Sequence, residues 1–397
     1  MSHNTQAQTA ALAAGSVTLS LALGTRAAFG LFLVPLAAVG VPLETVALAI
    51  AVHSLAWGVA QPFAGAWADR NGATRAQIVG GVLYAAGYAL PAYAPNSLTV
   101  TLGMGLMTGV GMALLGWGVS FAGVARAFPP ERRSSALGLA SAGGSIGQMA
   151  FLPIAAGAIA LGGAQLGLAV MGLFMLAAIP LGRPLDRAAL DKPAPRSSVA
   201  AIRVALRDRS FVLVSLGFFT CGFQLSFLAT HLPGYLSLCG MPASTGAWAL
   251  MLVGGANILG TWLCGRMGQR VAPHLVLAGL YTLRAVAILA FYLGPKDAVS
   301  TALFAIVMGL TWLGTVPLTN GVIARRFGIS DIGALFGVCF ISHQIGSFVG
   351  ALAGGLVFAW TGTYDAAFLA TAASGLVAAA FNLPIRQPHQ AGLTKPA

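Results

Sequence analysis

The chain has 397 residues, 57% hydrophobic and only 8% charged, with a mean hydropathy of +0.84. A soluble globular chain carries about a quarter of its residues as Asp, Glu, Lys and Arg, so this composition excludes a soluble fold. The 52 glycines fit helices that pack closely inside a membrane.

Each crossing takes about 20 mostly apolar residues. Apolar runs between charged or Pro/Gly-rich breaks give twelve spans: residues 13–39, 45–68, 76–94, 97–126, 135–161 and 164–182, then 210–237, 244–264, 275–294, 298–324, 333–359 and 364–384. The expected fold is an all-α membrane protein of two six-helix halves, 1–182 and 210–397, joined by a cytoplasmic linker, 183–209. The N-terminus has no basic n-region, so a cleaved signal peptide is not expected.

Of 21 Lys and Arg, Arg26 and Arg284 fall inside spans and Lys296 follows the ninth. The other 18 all lie in even-numbered loops or the C-terminal tail, from Arg70 and Arg75 to Arg386 and Lys395. The positive-inside rule therefore puts both termini in the cytoplasm. The net charge of +12 comes from this loop bias and gives no reason to expect a nucleic-acid partner. The lipid bilayer itself is the expected surrounding. Four cysteines (Cys221, Cys239, Cys264, Cys339) have no metal-ligand spacing, so no metal, cofactor or catalytic residue is expected.

Several polar side chains interrupt the spans. In LALGTRAAFGLFLVPL, Arg26 stands mid-span, a position costing about 2.5–3.5 kcal/mol on insertion scales. All nine acids lie in loops or at span ends, so none is placed to neutralise it. Its partner is either an anionic substrate or helix carbonyls and polar side chains. Phe29, Gly30 and Leu33 share its helical face. In the second span His53, Trp57 and Gln61 recur at i, i+4, i+8. His231 lies near the outer end of the seventh span, and Arg284 sits mid-way in the ninth, where a structural role is expected. Trp312 occupies the tenth, and His343-Gln344 the middle of the eleventh. Histidine alone here suits proton transfer near neutrality, so His343, His53 and His231 are the proton-coupling candidates, His343 first.

The halves repeat. Ala125-Arg126-x-Phe128, Gly138 and Ile146-Gly147 recur as Ala324-Arg325-x-Phe327, Gly337 and Ile345-Gly346, each at an offset of 199. A duplicated six-helix unit with a site between the copies is transporter architecture. The loop after the second span, GAWADRNGATR, resembles the signature loop of the major facilitator superfamily at Gly65, Asp69, Arg70 and Gly72, with Trp67 for its leucine and Ala73-Thr74 for its basic pair. The second copy, CGRMGQR, keeps Arg266 and Gly268 but has Gly265 for the aspartate. That resemblance implies a gating role for Gly65, Asp69, Arg70 and Gly72.

Within the superfamily, GTRAAFGLFLVPL, CGFQLSFLATHLPGYL and FGVCFISHQIGSFVGALAGG resemble helices 1, 7 and 11 of the monocarboxylate porter branch and its YcxA-like bacterial members. Helices 1, 4, 7 and 10 line the cavity in this superfamily, which favours substrate contact by Arg26, with Phe29, Asn257, Thr261, Trp312, His343 and Gln344 as further substrate-binding candidates. Animal members carry an Asp and an Arg four residues apart on helix 8, implicated in proton-coupled lactate binding. Asn257 and Thr261 stand in their places here, so that pair cannot couple protons. The expected function is secondary active transport of a small, monocarboxylate-like organic anion across the bacterial inner membrane, with protons as candidate coupling ion, by a monomer. The alternative is an exporter of drugs or metabolites of the same fold, against which the helix 4 arginine and the helix 5 Gly-Pro motif of drug/proton antiporters are both missing. Neither reading makes it an enzyme.

Overall fold

A computed structural model describes residues 2–189 and 198–386. Among the described residues twelve main helices follow one another and no strand occurs. They are α1 (residues 2–38), α2 (Leu43–Asn71), α3 (Ala73–Tyr93), α4 (Ser97–Ala127), α5 (130–161), α6 (164–176), α7 (Arg209–Leu238), α8 (Ala243–Arg270), α9 (Pro273–Leu293), α10 (Ala298–Phe327), α11 (Ile332–Thr361) and α12 (Asp365–Asn382). Nine helical stretches are long and apolar enough to cross a membrane. One of them, Pro130–Arg187, contains both α5 and α6. The chain reverses between those two at Gly162 (φ −153°) and Gly163 (φ 68°), the second in the left-handed region that glycine tolerates. Of the expected linker, residues 190–197 lie outside the described residues, as do Lys192, Arg196 and Lys395. An amphipathic helix, Ser198–Arg207, precedes α7.

Three of the helices are not regular, and none of this showed in the apolar runs. In α1 the backbone tightens to a 3₁₀ helix over Ala28–Phe32. Pro35 stands three residues further on; its ring removes a donor and crowds the preceding turn. In α4 a π-helical stretch covers Thr101–Met107, and the helix breaks at Gly116 (ψ −153°). In α10 the helix stops at Thr311 and restarts at Thr315. Carbonyls and amides freed at such breaks must find partners inside a membrane protein. Gln61 Nε2 donates to the Ala113 carbonyl at 3.2 Å, and the Ser120 hydroxyl to that of Leu115 at 2.7 Å. At the α10 break the fully buried Arg284 donates to the carbonyls of Thr311 and, at 2.7 Å, Trp312. Asn257 Oδ1 accepts from the Leu313 amide at 2.9 Å. Arg284 is thus tied to backbone, with Tyr281 under its guanidinium and the Cys221 thiol at 3.5 Å.

The sequence repeat acquires a physical reason here. Gly147 on α5 meets the backbone of Ser20 on α1, and Gly346 on α11 meets that of Phe219 on α7, so a Cβ at either place would overlap main chain. Gly138 abuts Gly265 of α8, and Gly337 abuts Pro62 of α2. The first pair closes each half on itself; the second joins the two halves. Small residues let backbones approach where lipid supplies no hydrophobic drive.

Candidate functional site

The arginine-rich ends of the helices are shut against each other. Asp69, at the end of α2, accepts from Arg126 of α4 in its own half. It also accepts from the backbone amides of Gly333 (3.4 Å) and Ala334 (3.0 Å) in the first turn of α11. That turn has no side-chain cap of its own, so Asp69 supplies the missing acceptor, and its charge suits the positive helix end. Arg126 reaches on to the Ser330 carbonyl at 3.4 Å. Gly65 lies against the Gly333 backbone, where a side chain would block the approach. Arg70 is exposed. Gly72 (φ 87°) turns the chain into α3, whose first amides, Ala73 and Thr74, donate to Asp186 at 2.7 and 2.9 Å. Neither Arg126 as the partner of Asp69 nor Asp186 as the cap of α3 was evident from the sequence.

Contacts between the halves continue to the helix midpoints. Gln344 Nε2 donates to the Ser54 carbonyl at 2.8 Å, and its stem fills the space over Gly58. Trp57 meets Phe340 at 4.7 Å between ring centres. Asn257 Nδ2 donates to the Ser145 hydroxyl at 2.8 Å. Towards the opposite end, open space surrounds Gly30 of α1 and Gly254 and Gly255 of α8, and Val34 is 74% exposed. The halves are joined from the arginine-rich end as far as Trp57, Phe340 and Gln344, which floor the cleft expected between them.

Arg26 stands at that floor. Its guanidinium lies over the Trp57 ring, 5.3 Å from the centroid. The two salt bridges among the described residues, Asp69–Arg126 and Asp208–Arg326, leave it out. Around it packs an aromatic box: His53 touches Phe29 (4.9 Å), Trp57 (6.3 Å) and Tyr84 (6.3 Å). Trp57 Nε1 in turn donates to Gln61 Oε1 at 2.8 Å, which fixes the ring under the cation. Phe29 is buried against His53 and Tyr88 rather than lining the cleft.

The three histidines separate. His53 Nδ1 is 2.8 Å from the Thr108 hydroxyl, which itself donates to the Met104 carbonyl. With that proton spent, Nδ1–H is the donor, and Nε2 is an acceptor, buried and without a partner. His343 lies between α7 and α11, stacked on Phe340 at 5.4 Å and near Phe218 at 4.8 Å, with Nδ1 3.3 Å from Gln344 Oε1. His231 is bound to the Ala351 carbonyl at 2.8 Å, away from Arg26. Asn257 and Thr261 are buried with their polar atoms engaged, Thr261 on the Asn257 carbonyl at 2.8 Å. Trp312 is half-buried beside the α10 break, and Trp117 is packed against Phe121.

A family model described as Major Facilitator Superfamily matches residues 15–341. The chain belongs to this superfamily. It is 25% identical over 357 residues to the uncharacterized MFS-type transporter YcxA of Bacillus subtilis, covering 85% of each chain. It is 28% identical to monocarboxylate transporter 13 of Bos taurus over 93% of this chain and 87% of that protein. Among solved structures, the superfamily transporter FucP in its outward conformation superposes with a TM-score of 0.74 at 18% identity, over 94% of this chain and 98% of that one. As a superfamily member the protein is a multi-pass membrane transporter, not an enzyme.

Proposed function

We propose that the protein is a secondary active transporter of a small organic anion of the monocarboxylate kind, working by alternating access in the bacterial inner membrane. The arginine-rich end, with both termini, faces the cytoplasm by the positive-inside rule. The cleft is then open outward, and residues 1–182 and 210–397 are the bodies that rock, joined by 183–209. One observation carries the reading: Arg26, in mid-membrane on the cleft floor, rests on a tryptophan face and has neither a carboxylate nor a hydrogen-bonded partner among the described residues. A carboxylate completes it through paired N–H···O contacts, and the substrate's apolar part meets Trp57 and the exposed wall of α1. The name of the bovine relative, a monocarboxylate transporter, agrees with that choice.

Proton coupling fits the same neighbourhood. His53 and Arg26 both lie against the Trp57 ring, so a second cation there is repelled until an anion arrives. Anion and proton then enter together. Asp69, Gly65, Arg70 and Gly72 form the cytoplasmic gate, which must part when the cleft opens inward. The test is uptake of radiolabelled mono- and dicarboxylates into proteoliposomes, with and without a pH gradient. Arg26→Gln should abolish uptake in a folded protein and Arg26→Lys should retain part of it. Wild-type uptake of a neutral sugar but of no carboxylate would overturn the reading.

A further inference from the structure

The amphipathic helix Ser198–Arg207 is covered by the protein on one side only. Ala205 is fully buried, and Ala201 and Ile202 are half-buried, where the helix packs on α7 and α11. At 3.6 residues per turn, Arg203 and Arg207 share the side directly away from that contact. Large apolar side chains border them: Val199 (63% exposed) and Leu206 (54%) on one edge, Val204 (62%) on the other. Ala205, Ile202, Leu206 and Val199 form one continuous apolar sector, and the protein covers only its first part. A face built for water alone carries polar residues throughout. Arginines next to uncovered valine and leucine are the composition of a helix lying in a membrane surface.

The place of the helix agrees. One residue, Asp208, separates it from α7. Asp208 caps α7 by accepting from the Ser210 and Phe211 amides, and it holds Arg326 of α10. The helix is thereby pinned to the start of a span. The 30 residues of α7 make it about 45 Å long, roughly a bilayer with its headgroups. That length puts its first turn, and the helix before it, at headgroup level. The charge there has no internal answer. Arg203, Arg207 and Arg209 are exposed, and neither salt bridge among the described residues includes them. The adjoining acid, Asp208, is already spent on Arg326.

We propose that Ser198–Arg207 is an interfacial helix that binds anionic phospholipid at the arginine-rich end. Val199 and Leu206 enter the acyl boundary, and the guanidinium groups of Arg203, Arg207 and Arg209 take the headgroup phosphates. Arginine stems span that step, lying along apolar surface while the charged ends stay at the phosphates. Each arginine adds attraction to an anionic leaflet. The helix packs on α7 and α11, so the contact holds the C-terminal half to the leaflet. It is independent of what Arg26 carries.

Full-length protein in neutral maltoside micelles is titrated with dioctanoyl phosphatidylglycerol and, in parallel, with dioctanoyl phosphatidylcholine. Binding is read by calorimetry. The phosphatidylglycerol should bind about tenfold more tightly or better. Arg203→Gln and Arg207→Gln should each weaken it about fivefold, the effect of one basic side chain at an anionic surface. Leu206→Asn should weaken it about as much by removing a partly buried aliphatic chain. Arg187→Gln removes an exposed arginine from the same end of the N-terminal half and should change nothing. Depth is read in phosphatidylglycerol nanodiscs with a spin label at position 206 or 204, in a Cys239→Ser background, the other three cysteines being buried. The label at 206 should be shielded from a water-soluble nickel chelate, and the one at 204 less so. Equal affinity for the two lipids overturns the proposal, as does a loss from Arg187→Gln that matches the loss from Arg203→Gln. A label at 206 fully open to the chelate also overturns it and leaves the face to an acidic protein.

Discussion

Replacing Arg284 by methionine tests the division of labour between the two intramembrane arginines. Arg284 is fully buried and donates to both carbonyls freed where α10 breaks. Removing it leaves two buried acceptors unpaired, at about 1–3 kcal/mol each. The variant also avoids burying a guanidinium, whose desolvation offsets part of the loss. The expected destabilisation is about 2–4 kcal/mol, a fall on the order of 5 °C in the thermal midpoint for a chain of this size. Arg284→Lys should fall between, since an ammonium offers a point charge instead of a fork. The assay is unfolding of the purified protein in detergent at one fixed scan rate, because unfolding of a protein this large is commonly irreversible. A methionine variant that unfolds with the wild type yet loses uptake would refute the reasoning and move Arg284 into the substrate path.

Three further outcomes follow from other contacts. Asp69→Asn leaves the buried Arg126 without its counter-charge, a loss of about 3–5 kcal/mol to the closed arginine-rich end; uptake should fall at least tenfold, and wild-type rates would remove Asp69 from the gate. His53→Gln should keep substrate exchange but lose stimulation by an inward pH gradient; if stimulation survives, the coupling proton rides on His343 or on the substrate. At Asp208, burial pushes the carboxyl up, but hydrogen bonds from Arg326 and from the Phe211 and Ser210 amides outweigh it and hold it below the ordinary carboxylate range. Its stabilisation is therefore present above the ordinary value and disappears as pH falls through the lowered one. Asp208→Asn should lower the midpoint slightly at pH 7, by an amount solvent screening keeps small, and the difference should vanish in acid; a difference that persists there would refute the pairing.

How much of this was legible in the sequence depended on whether a feature is carried by composition or by backbone. Twelve spans and a duplicated half showed directly, since apolar runs and the offset of 199 are properties of residue order. The repeated glycines even mark the contacts: Gly147 and Gly346 close the halves, Gly138 and Gly337 join them. What failed to show was hydrogen-bond geometry. Hydropathy reads α4 and α10 as continuous, because a break at Gly116 or after Thr311 changes no residue's polarity. Phe29 was expected on the cleft face from its spacing to Arg26, yet its ring is buried against His53 and Tyr88. Asn257 looked like a substrate group from its helix and spacing, yet its amide spans from Ser145 to the Leu313 amide and braces both the halves and the α10 break.

The two arginines show why neighbours, more than depth, decide a buried charge's role. Each is near the middle of its helix and far in sequence from any acid. Arg284 lies opposite a helix that stops, and a stopped helix presents free carbonyls aimed along its axis. Two of them accept from Nη2 and the Cys221 thiol takes Nη1, so the cation serves the fold. Arg26 lies opposite α2, which is helical from Leu43 to Asn71 and, among the described residues, gives it no carbonyl partner. All that α2 offers is the face of Trp57, whose attraction for a cation is about 0.5–2 kcal/mol, short of what burying that charge costs. The remainder has to come from something that enters the cleft. An arginine facing a continuous helix across open space is thus poised for an anion, whereas one facing a broken helix is already held by its carbonyls.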